Sequence, residues 1–375
     1  MSLEEPDEIP SFVQSLMSVI CEKFDEAHGE SLGEEDFLFT QLGDFTIYKA
    51  FGFSSHWVGA PEVKLVVDDA WRDEVARVNE EFRAGPNPTY RLTLNGSIRS
   101  SGTMHGRPFS WFVKPHVTTT EKLKHYLEWV GFEPPPSSEI ERWRVGRREC
   151  FEKDFVPVPS TNMIVEPALQ IVGLGLIAKL ARRDPALLEA FFDHLAYLAV
   201  ARAKAALDAG NRILVVADDC AYKQGPMLSP ALYRRFVVPR FERLTGLVHE
   251  RGGRVFLHTD GWIHPLLDAF VEMGVDGVNP LEYASGMRLA DVKRSHGDKL
   301  CLVGNVDTAE LLPFGTPEQV RAAVRACVRD GGPAGHVFAP GGSLHHEVRL
   351  ENALAMMDEL ERVNAERRAQ SFSSS

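Results

Sequence analysis

From about residue 155 onward, short apolar runs alternate with amphipathic stretches of helical length, the pattern that repeated βα units around a parallel sheet produce. The strand candidates are Phe155–Ser160 or Met163–Leu169, then Ile213–Cys220, Val255–Asp260, Gly277–Glu282, Leu300–Asp307 and His336–Ser343. A strand covered on both faces reads as one continuous apolar run, as Ile213 to Ala217 and Leu300 to Val303 do. Helix starts punctuate the gaps. Asp184-Pro185, Ser229-Pro230 and Thr316-Pro317 each place a capping oxygen before a proline already set to the helical φ, and Thr316 with Gln319 makes a capping-box pattern. The helix from Pro185 carries Leu188, Phe191, Phe192 and Leu195 at helical spacing and stops at Gly210. These units predict a (β/α)8 TIM barrel with N-terminal decorations.

A chain of 375 residues fits one such barrel, since α/β barrels pass roughly 250 residues as a single core. The expected organisation is one domain over residues 1–366, irregular over about 1–150 and most regular over about 155–362, followed by a disordered tail at 367–375. In the irregular part the pattern suggests a helix near Ser11–His28, a first strand at Asp36–Leu42 and a hairpin-like stretch over Tyr90–Pro115.

Composition removes several function classes. The formal net charge is −12 and no Lys/Arg cluster is interleaved with aromatics, which argues against a nucleic-acid partner. No apolar run approaches the ~18 residues that span a bilayer and the first ten residues are acidic, so the expectation is a cytoplasmic protein without membrane association. Five scattered cysteines without a Cys-x-x-Cys pair fit neither a disulfide framework nor a four-cysteine zinc site; they read as buried small hydrophobes, with Cys220 nearest to polar residues. Gly173 to Ala178 matches Gly-x-Gly-x-x-Ala, yet a helix stands where the second strand of a dinucleotide fold should be. No nucleotide cofactor is expected.

Reacting groups of a (β/α)8 barrel come from the C-terminal ends of its strands, where the loops converge. Polar residues stand at five consecutive ends: Asp218 and Asp219, His258 and Asp260, Asn279 and Glu282, Asn305 and Asp307, and the group Ser343, His345, His346 and Glu347. One such residue is commonly a cap or an Asx turn, the reading given to Asp307. Five together point to a pocket. His258 and Asp260 lie two apart and so share a face; they are the first catalytic candidates. Crowded carboxylates such as Asp218 and Asp219 push one pKa toward neutrality, while strand alternation aims only one inward, so the pair supplies one catalytic or substrate-binding aspartate. Tyr222, Asn279, Glu282, Asn305 and His345 are the substrate-binding candidates.

The segment from Asp218-Asp-Cys-Ala-Tyr222 through Ser229-Pro-Ala-Leu-Tyr233, then His258-Thr-Asp-Gly261, Asn279-Pro-Leu-Glu282, Gly304-Asn-Val-Asp307 and Leu350-Glu-Asn352, resembles the uroporphyrinogen decarboxylase superfamily over roughly 155–362. That superfamily holds cofactor-free decarboxylases of tetrapyrrole acetates and methyltransferases that exchange methyl groups with a corrinoid on a partner protein. The decarboxylases carry an Arg-Gln-Ala-Gly-Arg-Tyr segment near the N-terminus for the substrate's carboxylates, and nothing here matches it. The His-x-Asp-Gly pattern is similar to the methyltransferase-like branch.

The resemblance implies a small methylated substrate and a corrinoid brought by a separate protein, with decarboxylation of a tetrapyrrole or smaller acid as the alternative; a non-catalytic binding barrel is a third reading, against which the five polar strand ends argue. It also suggests a homodimer. Coenzyme-M-type methyltransferases bind zinc through a His-x-Cys motif and a later cysteine, both replaced here. His258 and Asp260 with one of His345, His346 or Glu347 would leave an N/O zinc set. Otherwise His258 and Asp260 bind substrate or move protons without a metal.

Overall fold

The computed structural model describes residues 6, 8–28, 45–104 and 107–374. Eight parallel strands lie side by side in chain order: β1 (Phe12–Val13), β2 (Ser55–Gly59), β3 (Val156–Asn162), β4 (Ile213–Ala217), β5 (Arg254–His258), β6 (Gly277–Asn279), β7 (Cys301–Val303) and β8 (His336–Val337). The seam closes because Phe12 N–H donates to the Phe338 carbonyl and Phe338 N–H to the Pro10 carbonyl, both at 2.9 Å. A closed sheet has no free edge, and the chain is a TIM barrel.

Strand alternation sorts the apolar residues into two cores. Leu214, Val216, Leu257, Val278 and Leu302 face the outer helices. Val215, Ala217, Phe256, Cys301 and Val303 face the barrel axis, with Phe12 and Trp57 from the first two strands. Each large aliphatic or aromatic side chain buried this way contributes ~1.5–3 kcal/mol. The helix caps read from sequence form: Asp184, Ser229 and Thr316 accept from the backbone N–H groups of Leu187, Leu232 and Gln319. All five cysteines are buried and reduced.

The excursion between β2 and β3 carries the decorations. Tyr90–Leu92, Ser97–Met104 and Arg107–Pro115 form a three-stranded antiparallel sheet, and Lys64–Val67 pairs with Val130–Glu133. Two expectations change, one alternative is decided and one expectation falls outside the described residues. The expected helix near Ser11–His28 begins only at Ser18, because the stretch before it is β1. Of the two candidates near residue 160 the first is the strand, extended to Asn162, while Val165–Ile171 is helical. The last helix, Leu350–Ser374, continues through the expected tail, with Arg368 paired to Glu8 and Glu361. The Asp36–Leu42 strand falls outside the described residues. No described helix is long and apolar enough to cross a membrane.

Candidate active site

β5 ends on His258, whose side chain is only 4% exposed and faces the axis. Its Nδ1 lies 2.8 Å from Asn279 Oδ1 on the neighbouring strand β6. An amide oxygen only accepts, so Nδ1 carries the proton and Nε2 keeps its lone pair. The Trp57 ring meets the imidazole edge-on at 4.6 Å between centroids and covers one side of it.

The chain then turns through Thr259, Asp260 and Gly261. The Asp260 N–H donates to Asp219 Oδ1 at 3.1 Å, and the Gly261 N–H to Glu282 Oε2 at 2.8 Å. Ser285 Oγ donates to the same Glu282 oxygen at 2.6 Å. Gly261 sits at φ +94, and a Cβ there would meet the Ala221 backbone at 2.7 Å, so only glycine lets the β5 and β4 loops approach this closely. Asp219, His258 and Asp260 consequently bring one ligand atom each to within 4.8 Å of one another, the one such triad among the described residues. Burial pushes the Asp260 carboxyl up to about 6; His258 opposes this, and the charges of Asp219 and Glu282 reinforce it.

Asp218 does not join them. It is fully buried, and its Oδ1 accepts the backbone N–H groups of Ile164 and Glu166, both at 3.0 Å. Burial holds it well above the usual carboxylate range. Through Oδ1 it ties the end of β4 to the helix after β3, apart from the cluster it was expected to share.

Other expectations are redistributed for similar reasons. His345 is engaged at both ring nitrogens, Nε2 with the Thr308 carbonyl at 2.8 Å and Nδ1 as acceptor of the Glu347 N–H at 3.3 Å, so no lone pair is left for a metal or substrate. His346 stacks edge-on against His345, Glu347 is exposed, and neither joins the triad. Of the metal-ligand candidates, His258 and Asp260 thus come together with Asp219 and not with a residue from 345–347. Asn305 is buried with Nδ2 donating to the Met287 carbonyl at 3.0 Å, and it lines a separate pocket with Asp307 and Tyr283. Tyr222 is half-exposed on a short hairpin whose carbonyl accepts the Trp262 N–H at 3.0 Å, which places both rings at the rim. Asp307 caps its own turn, accepting from Ala309 and Glu310.

Glu166 is the residue that sequence reasoning missed. It follows β3, half-buried, with Asn162 Nδ2 and Gln170 Nε2 donating to its carboxylate at 3.1 and 3.0 Å. Burial raises its pKa and the Asp219 charge adds to this, while Asn162, His258 and Arg99 oppose it, so it borders the same cluster. Applying the strand-end rule to β3 would have found it.

The donor set fits a divalent ion. Two carboxylates and one imidazole suit zinc or a similar metal, and Asn279 on Nδ1 is the kind of outer partner that fixes a ligating histidine.

A family model described as uroporphyrinogen decarboxylase (URO-D) matches residues 167–363. The chain is 33% identical over 185 residues to the uroporphyrinogen decarboxylase of Thioalkalivibrio sulfidiphilus, covering 47% of this chain and 49% of the relative. Against the enzyme of the same name from Pseudoalteromonas translucida the identity is 33% over 187 residues, covering 48% and 49%. The chain therefore spans about half the length of the curated relatives it matches. A methyltransferase from Methanosarcina mazei superposes with a TM-score of 0.58 over 96% of this chain and 95% of that one, at 16% identity, a likeness of fold.

Proposed function

The chain belongs to the uroporphyrinogen decarboxylase family, and on that premise we propose that it transfers a methyl group between a small methylated substrate and a corrinoid carried by a partner protein. The observation that carries this reading is the triad of Asp219, His258 and Asp260 at the C-terminal mouth, with Glu282 beside it. Carboxylates crowd the reacting centre, and a substrate that is itself a polyanion would be repelled there. A small neutral or cationic methylated compound would not.

Methyl transfer requires that charge developing on the departing oxygen, nitrogen or sulfur be stabilised. A divalent ion held by Asp219, His258 and Asp260 would supply that as a Lewis acid. The chain's own residues do the rest. Asn279 holds the His258 ring through Nδ1 and leaves Nε2 free, and in a metal-free site that nitrogen first takes up a proton to form the imidazolium and then gives it to the departing atom. Glu282 and Asp219 fix the loop through Gly261 and Asp260, so the cluster is set before substrate arrives. Trp57 closes the side of the ring against water.

The second reading is cofactor-free decarboxylation, favoured by the activity named for the relatives in sequence. Purified protein should transfer a methyl group between a methylated amine, ether or thiol and a reduced corrinoid, and leave uroporphyrinogen unchanged. Robust formation of coproporphyrinogen would replace the first reading by the second. Elemental analysis of protein purified without chelator decides between the metal and proton-transfer versions.

A further inference from the structure

We infer that the barrel axis holds a binding site for one small apolar molecule, about the size of a benzene ring, on the side away from the catalytic mouth. The interior of a (β/α)8 barrel is normally filled by layers of side chains. Here an apolar pocket of about 170 Å³ remains, partly open to solvent at the N-terminal end of the barrel, with Phe12, Val158, Val215, Phe256, Val303 and Val337 among its walls. With Ser55 and Asn279 every one of the eight strands contributes to the lining, so the space lies on the axis and not between barrel and helices.

The chemistry of the wall selects the occupant. Water entering a cavity needs two to four polar partners, whereas a hydrocarbon-lined void of ~150 Å³ stays dry and takes benzene or xenon. Three of the polar atoms at this wall are already engaged. Asn279 Oδ1 accepts from His258, and the Ser54 and Ser55 hydroxyls both donate to the Ser11 carbonyl, at 2.8 and 2.9 Å. A neutral ring or compact alkyl group therefore gains apolar contact along this wall while taking few polar partners from water.

Position separates this site from the reacting cluster. Pro10 and Ser54, which precede β1 and β2, line the cavity, while Asp219, His258 and Asp260 do not. Asn279 belongs to both, lining the cavity and aligning the His258 ring. An occupant thus touches the residue that orients the catalytic imidazole without entering the mouth.

Xenon and iodobenzene are suitable probes. Crystals of the full chain under xenon pressure should show one xenon on the axis, and iodobenzene should raise the melting temperature saturably while shifting the His258 ring resonances. Val215→Phe and Val303→Met each fill the space from a different strand, and each folded variant should weaken iodobenzene at least tenfold. A xenon-free axis, ordered water in the cavity, or iodobenzene binding that survives the filling substitutions would overturn the assignment.

Discussion

At the N-terminal end of the barrel the inward positions of β3, β4 and β5 carry Val158, Val215 and Phe256; two residues further on, the same faces of the same strands carry Ser160, Ala217 and His258. Lower and upper storeys thus share backbone, register and closure, and differ only in side chains. Below, the residues form an apolar wall around the axial cavity and hold no charge. Above, they give up packing for a histidine and its carboxylates, groups that are costly to bury unless paired. Because a strand spans both storeys, the rigid apolar one fixes the polar one in place. The comparison shows why a strand can hold chemistry at one end without losing stability at the other.

The separation can be tested by substituting one storey at a time. Phe256→Ala should have the largest effect, lowering the unfolding free energy by about 3–5 kcal/mol in urea titrations while methyl transfer by the folded fraction changes little. A variant of normal stability and no activity would erase the distinction. His258→Ala should do the reverse, costing at least ~10²-fold in rate, or about 2.7 kcal/mol, with an unchanged urea midpoint. Asn279→Ala lies at the boundary. It should cost about tenfold in rate, or in metal affinity if an ion is bound, as loss of an outer partner to a ligating histidine does. Rescue by Asn279→Gln would mark orientation of the ring as its role.

The gentlest effect belongs to the helix-facing side of the strands, in neither storey. Burial lowers the pKa of His56 on β2 to about 3 and of His336 on β8 to about 4. Between those values and the ordinary ~6.5 the unfolded chain binds more protons than the folded one, so stability falls as pH drops below about 6.5. Urea midpoints measured from pH 7.5 to 6 should decline gradually, and His336→Asn should flatten the decline. A midpoint that rose on acidification would contradict the burial of both rings.

Legibility in the sequence followed these same physical differences. β4 and β7 were readable because a doubly covered strand leaves a continuous apolar run, and the polar residues after β4 to β6 marked the mouth. β1 was not, since two residues make no pattern and Phe12 and Val13 are held by partners remote in sequence. The choice between Asp218 and Asp219 depends on which oxygen meets the backbone of Ile164 and Glu166, a contact across the fold. His345 looked like a ligand because its engagement with Thr308 is tertiary. Glu166 escaped because the end of β3 was itself ambiguous.

The seam of the barrel sets a timetable for folding. Ile9, just before β1, exchanges hydrogen bonds with Asn364, 355 residues away, and at synthesis rates of ~5–20 residues per second that partner follows roughly 20–70 s later. Until β8 and Phe338 are made, shortly before that, Phe12 and Val13 have only β2 to pair with, and the sheet is an open ribbon with two exposed margins. Closure of so long a loop comes late and slowly. The nascent protein is therefore most vulnerable to strand-to-strand association just before β8 emerges, and a chaperone that shields β1 would act in that interval.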